Sequence, residues 1–286
     1  MGCFVMKPKI NTKSLFFKIA FSEHKKRCAL ALGTEQTVEK AVIPVYHQQE
    51  GKRVKQIGSG VLVRIKKEFF VFSASHVFDQ IGNYALLTSD GGPELQMLAG
   101  ERFSTPRDEF GGHTHDPIDV SVFHITAPLS ERLKAMAITT ADLDPAPSPG
   151  SKSMFLSAGF RIKKTNLSGG VLSSHREAFP STEIGLDIYE KAALNPELYI
   201  ALWHEDQHYT GTQWLTSPTP RGFSGGAIIR IISIPGREGI EYKQVLSGTI
   251  IEHRKKNQKT DGMLVGTRLD VHMTLIEKYM PELFEQ

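Results

Sequence analysis

Short apolar runs constrain the fold of this chain more than any other feature. Ala41–His47, Gly60–Ile65, Phe69–Ala74, Val120–Ile125 and Met154–Ala158 are five of them. Leu198–Trp203, Ala227–Ile232, Val245–Ile251 and Met263–Thr267 are the others. Each is rich in Val, Ile, Leu, Phe or Tyr, and clusters of Gly, Pro, Asp and Ser separate them. Runs of this length and spacing read as strands of an all-β barrel or sandwich. Parallel βαβ units need helices between their strands, and most of the gaps lack helical periodicity. Lys66-Lys67-Glu68 joins two runs as a hairpin. Two segments read as helices. Ser130 caps a run through Glu131, Leu133 and Met136. The stretch from Asp270 to Phe284 sets Val271, Leu275, Ile276 and Tyr279 near helical spacing, with Asp270 as its cap. The Pro-rich linker Leu143–Gly150 is the best internal boundary. It divides two β-rich halves, 30–142 and 151–269, from each other, with the final helix at 270–286.

Composition narrows the function classes. Hydrophobic residues are 40% and charged residues 23% of the 286, which is ordinary globular usage and excludes wholesale disorder. The 34 basic and 31 acidic residues nearly balance, so nucleic acid is not expected as a partner. Cys3 and Cys28 are the only cysteines. They give no disulfide framework, and a reducing cytoplasm is the expected compartment. Residues 1–29 read as a basic, poorly ordered leader: Lys7 and Lys18 cut apolar runs too short for a signal-peptide core. No stretch approaches the ~20 apolar residues of a membrane helix, so no membrane association is expected.

Three strings carry candidate chemistry. Peptide hydrolysis needs a nucleophile, a base to take its proton, and donors for the oxyanion. In Gly222-Phe223-Ser224-Gly225-Gly226 the glycines let the backbone turn tightly about Ser224. The N–H groups of Gly222 and Ser224 could then form an oxyanion hole. In Phe72-Ser73-Ala74-Ser75-His76 an apolar run ends in small residues and a histidine, which suits a base exposed to a cleft but held by a scaffold. In Asp116-Pro117-Ile118-Asp119-Val120, Asp119 opens an alternating strand, where a carboxylate can fix the histidine tautomer.

Together these residues resemble the trypsin/chymotrypsin family of serine peptidases, in its cytoplasmic bacterial branch. Gly58-Ser59-Gly60-Val61-Leu62-Val63, Ser73-Ala74-Ser75-His76-Val77, Asp119-Val120-Ser121-Val122 and Gly222-Phe223-Ser224-Gly225-Gly226 carry the likeness, in the family's order of His, Asp and Ser. The resemblance implies a chymotrypsin-like fold of two six-stranded antiparallel β-barrels, with a triad of His76, Asp119 and Ser224 between them. It implies a protein or peptide substrate and no cofactor or metal. It also implies a substrate pocket near Pro218, which stands where trypsin-like members carry a specificity aspartate, and along Ile251, Glu252 and His253. Phe223 replaces the family's aspartate before the serine, which removes the partner for a freshly generated N-terminus. Flexible residues around Gly222 allow regulation by a protein partner, and bacterial members often act in stress or defence.

Other readings compete. The elbow Gly-x-Ser-x-Gly of α/β-hydrolases also fits Gly222–Gly226, but it needs a helix after the serine, and Ala227–Ile232 is β-branched. His204-Glu205-Asp206-Gln207-His208 matches the H-E-x-x-H zinc-peptidase motif, which needs a helix and a third ligand. His113-Thr114-His115 could supply that ligand, though it reads more simply as a polar loop. A catalytically silent binding module on the same fold is the remaining alternative.

Overall fold

Val61-Leu62-Val63 has no polar face, so both sides of this strand must be buried. Leu62 points into one cluster with Val71, Leu86, Leu98 and Ile125. Val61 and Val63 point the other way, into a cluster with Leu156, Ile229 and Leu246 from the second half of the chain. A strand with two apolar faces thus serves both a barrel interior and the seam between two barrels. The computed structural model describes residues 11–48, 54–82, 85–90, 92, 94–107, 111–113, 116–145, 149–150, 153–162, 166–168, 171–209, 212–236, 239–258 and 260–285.

The first barrel holds β1 (Val42–Gln48), β2 (Val54–Ile65), β3 (Glu68–Ala74), β4 (Ala85–Thr88), β5 (Gln96–Leu98), β6 (Gly100–Ser104) and β7 (Val120–Ile125). Their order is β5-β4-β1-β2-β3-β7-β6, and β8 (Ile138–Thr139) lies parallel to β2. Only Ala99 separates β5 from β6, so one bent segment forms both edges and closes a ring of six strands. Gly100 sits at the bend, where a Cβ would lie 1.8 Å from the His124 carbonyl oxygen.

The second barrel begins with β9 (Met154–Phe160), the hairpin β10 (Asn166–Ser168) and β11 (Val171–Ser173), and β12 (Arg176–Thr182). It continues with β13 (Tyr199–Trp203), the hairpin β14 (Gln207–Tyr209) and β15 (Trp214–Thr216), then β16 (Ala227–Gly236), β17 (Gly239–Arg254) and β18 (Met263–Arg268). Six of these strands form the sheet β12-β9-β16-β17-β18-β13. It closes where the Ile184 N–H donates to the Ala201 carbonyl at 2.9 Å. The architecture is the expected one: all-β, two antiparallel barrels and a C-terminal helix. The connecting segment is pinned to the second barrel. The Asp144 N–H donates to the Leu246 carbonyl at 2.9 Å, and its carboxylate accepts from Arg230 and from Ser247, both at 2.5 Å.

Among the described residues six α-helices flank the barrels: α1 (Leu15–Gly33), α2 (Thr37–Ala41), α3 (Ser75–Asp79), α4 (Glu131–Met136), α5 (Leu186–Lys191) and α6 (Leu269–Tyr279). Ser130 caps α4 as expected, its Oγ accepting from the Leu133 N–H at 3.3 Å. Two readings are corrected. Residues 15–29 belong to α1, where the sequence suggests poor order. Its apolar residues occupy every side, so no amphipathic stripe announces it, yet Ser14 caps it and it packs on β9 and β12. The last helix starts at Leu269 with Arg268 as N-cap, so Asp270 lies in the first turn. It ends at Tyr279 because Pro281 cannot continue it. Among the described residues no helix is long and apolar enough to cross a membrane.

One buried group on α6 titrates. His272 is fully buried, stacks on Phe72 and meets the Thr249 hydroxyl at 3.1 Å. Burial holds its imidazole down to about 4 from 6.5. The folded state keeps the ring neutral while the unfolded chain takes up a proton below pH 6.5. This contribution to stability is present above pH 6.5 and is lost as pH falls towards about 4, on the order of 3 kcal/mol in all. Urea melts of wild type and His272→Gln between pH 7 and 4 should converge as the pH falls. Parallel curves would contradict this role.

Candidate active site

Strand pairing brings the candidate base and carboxylate together. β3 and β7 run antiparallel with Ala74 opposite Val120. His76 lies two residues after Ala74, and Asp119 one residue before Val120, so both emerge at the same barrel end. The His76 backbone N–H donates to Asp119 Oδ1 at 2.9 Å, and His76 Nδ1–H donates to Oδ2 at 2.5 Å. A carboxylate only accepts, so Nδ1 carries the proton on this edge, and in the neutral ring Nε2 is then the acceptor. The Asp119 side chain is 10% exposed and the His76 side chain 35%. Asp119 adopts φ +52°, a left-handed conformation that Asp and Asn tolerate better than most residues. Asp116 points elsewhere: it accepts from the Thr105 hydroxyl and from the Ile118 N–H.

Ser224 comes from the loop before β16. The loop turns at Pro220–Phe223, where the Phe223 N–H donates to the Pro220 carbonyl at 2.9 Å and Gly222 has φ +102°. A turn of that shape requires positive φ at its third residue. Gly225 N–H donates to the Ile250 carbonyl (2.7 Å), and Ile250 N–H to the Gly226 carbonyl (2.8 Å), which staples the loop to β17. The N–H groups of Gly222 and Ser224 donate to no described residue. Phe223 is 1% exposed and stacks on Phe179 in the second barrel's core, so apolar packing holds the residue before the serine.

Ser59 on β2 joins the two barrels at this point, a role its place in Gly58-Ser59-Gly60 did not reveal. Its N–H donates to the Ser224 carbonyl at 2.8 Å, and its hydroxyl donates to the Gly222 carbonyl at 2.8 Å and accepts from the Phe160 N–H. Gly58 must be glycine, because a Cβ would lie 2.7 Å from Val77 and 2.9 Å from the Ser224 carbonyl oxygen. Among the described residues no hydrogen bond links Ser224 Oγ to His76.

No family model matches the chain, and no curated protein matches it in sequence. Solved structures do match. Neuropsin, a serine protease expressed in mouse brain, superposes with a TM-score of 0.53 at 16% identity, over 85% of this chain and 96% of that one. Kallikrein-related peptidase 10 gives 0.50 at 14% identity, over 86% of this chain and 98% of its own. The chain has their chymotrypsin-like fold.

A cleft of about 300 Å³ opens beside Ser224, lined by Thr219, Pro220, Arg221, Ile250, Glu252, His253 and Leu264 among others. Glu252 and His253 are among its lining residues. Pro218 and Ile251 do not line the cleft. The Pro218 carbonyl accepts from His204 at 3.2 Å, and a bulge at Ile251 turns that side chain into the core. Burial first, then the nearby Lys255, lowers the His253 pKa, although Asp206 opposes this.

His204 ends β13's exit and His208 lies in β14, so the pentapeptide between them forms no helix. Among the described residues no group of three His, Cys, Asp or Glu side chains could hold a metal. His115 lies outside the described residues.

Gly222→Ala tests the loop. A Cβ there would lie 2.5 Å from the Phe160 carbonyl oxygen, at a φ that disfavours alanine. Displacing one oxyanion donor costs about 10²–10³-fold in kcat, and a loss of that size is expected in turnover of an activated ester. Wild-type turnover would show that Gly222 N–H has no such role.

Proposed function

We propose that this chain is a serine endopeptidase that works through an acyl-enzyme. The observation that carries the reading is the double hold of Asp119 on His76. It orients the imidazole, while the Ser224 loop leaves two N–H groups with no acceptor among the described residues. His76 Nε2 takes the Ser224 proton as Oγ attacks the scissile carbonyl. Asp119 stabilises the imidazolium that forms. The N–H groups of Gly222 and Ser224 receive the oxyanion. His76 then returns the proton to the leaving amine, and water hydrolyses the ester by the same route.

The buried Phe223 supports a loop that is shaped without an ion pair to a new N-terminus. The neighbours' names, a serine protease and a peptidase, support protein or peptide substrates. The low cysteine content supports a cytoplasmic, bacterial-type enzyme.

One observation favours a second reading, a silent module or one awaiting a regulatory partner: Ser224 Oγ is not bonded to His76. Unliganded triads often show this bond long or poorly aligned, so kinetics decide. Rapid mixing with a p-nitrophenyl ester should give a burst of nitrophenol equal to the enzyme concentration, followed by slower turnover. Absence of a burst and of turnover would favour the silent module.

A further inference from the structure

The turn that carries His76 is too short to hold itself. α3 spans five residues, and no side chain caps its start. Proton transfer needs the imidazole held within about 0.5 Å of its working position, so the restraint has to come from neighbouring elements.

Arg102 on β6 reaches both ends of that turn. Its Nη1 donates to Asp79 Oδ1 at 2.9 Å, and its Nη2 donates to the Ser75 carbonyl at 3.0 Å. Ser75 and Asp79 are the first and last residues of α3, and His76 lies between them. Nε of the same guanidinium donates to Ser121 Oγ at 3.1 Å, on β7 just past Asp119. The planar fork of Arg serves all three acceptors at once, which a lysine cannot do.

His113 adds a second arm. Asp79 Oδ2 accepts from the His113 backbone N–H at 3.1 Å and from its Nδ1 at 2.8 Å. The other ring nitrogen, Nε2, donates to the Thr105 carbonyl at 2.9 Å. Nδ1 also lies 3.4 Å from Arg102 Nη2, so the ring touches both Asp79 and Arg102. His113 belongs to the segment between β6 and β7 that leads to Asp119. The cluster therefore ties the His76 turn to the Asp119 segment.

Burial gives these bonds weight. The side chains of Arg102, Asp79 and His113 are 19%, 25% and 0% exposed. Burial alone would raise the Asp79 carboxyl, but hydrogen bonds from His113 and Arg102 outweigh it and hold the group below its ordinary value. Asp79 and Asp119 attract the guanidinium, Arg107 repels it, and the Phe78 ring lies 5.7 Å from it.

We infer that Arg102 is a positioning residue for His76, acting with Asp79 and His113 to hold the imidazole against Asp119. Its catalytic consequence rests on the peptidase reading of the triad; its geometry does not. Four proteins separate the two: wild type, Arg102→Lys, Asp79→Asn, and the double variant Arg102→Met/Asp79→Asn. Lysine keeps the charge and loses the fork. The double variant removes one cation and one anion, so the local charge is nearly unchanged.

Two readouts are taken on each, with a thermal melt to show folding. One is the rate of fluorophosphonate labelling at Ser224. The other is the far-downfield proton NMR resonance of His76 Nδ1–H. Labelling should slow at least about tenfold in Arg102→Lys and in the double variant, since a misplacement of 1 Å can cost about 10²-fold. Asp79→Asn should fall between. The Nδ1 resonance should broaden or vanish in the same order. Wild-type labelling rates with a sharp resonance in folded Arg102→Lys and Asp79→Asn would overturn the inference. If the Arg102 variants fail to fold, Asp79→Asn decides by the same two readouts. If wild type itself does not label, the peptidase reading fails, and the resonance alone decides whether Arg102 positions His76.

Discussion

Ser224→Ala is expected to lower kcat on a cleaved peptide at least about 10⁴-fold while leaving the fold unchanged. The reason lies in how the loop is built. Ser224 is held by its backbone: its carbonyl accepts from the Ser59 N–H, and the neighbouring Gly225 and Gly226 are bonded to the Ile250 carbonyl and the Phe223 carbonyl. Its hydroxyl bonds to no described residue. Removing that hydroxyl takes away the proposed nucleophile and no hydrogen bond to a described residue. Thermal melting should therefore be unaltered, and the residual rate should reflect binding and the oxyanion N–H groups alone. A variant that keeps more than a few per cent of wild-type turnover would remove Ser224 from the mechanism.

Asp119→Asn is expected to cost about 10⁴-fold in kcat, against less than about tenfold for Asp116→Asn. Asn can occupy the backbone of Asp119, since φ +52° is a conformation that Asn tolerates well. The fold should survive and the electrostatics should not. An amide at Oδ2 cannot both accept from His76 Nδ1–H and carry the charge that stabilises the imidazolium. If its NH₂ faces the ring, the tautomer reverses and Nε2 no longer accepts the serine proton. At Asp116 the bonds from Thr105 and Ile118 need only an acceptor oxygen, and an amide offers one to either. Both variants should be assayed together with a melt as control. A crippled Asp116→Asn beside a near-normal Asp119→Asn would reassign the carboxylate.

The strands with a strong apolar pattern were legible in the sequence, and so was the pairing that sets His76 beside Asp119. Val61–Val63, Phe70–Phe72 and Ile228–Ile229 are buried on both faces, and such runs announce themselves by composition. β12 does not: each of its residues is half-buried and it carries Pro180, so neither alternation nor a continuous run appears. β4, β5 and β6 are short, and their role in closing the barrel depends on pairings far apart in the chain. The α1 helix lacks a single apolar stripe, so no periodic pattern marks it in the sequence.

At the candidate site, the ordered motifs single out His76, Asp119 and Ser224 because each lies next to a recognisable strand. Their supports were hidden for a physical reason. Arg102, Asp79, His113 and Ser59 act through partners distant in sequence, and nothing local distinguishes a bridging arginine from a solvated one. Ile251 lies in the core because a bulge there breaks the alternation that a strand reading assumes.

The proposed function requires Ser224 to be a nucleophile activated by His76 without a metal. Labelling with a fluorophosphonate probe, with and without a chelator, followed by mass spectrometry of the modified peptide, tests it most directly. The expected result is a single adduct on Ser224 that the chelator leaves unchanged and that His76→Ala abolishes. An unlabelled Ser224 in folded protein, or labelling that His76→Ala does not slow, would contradict it.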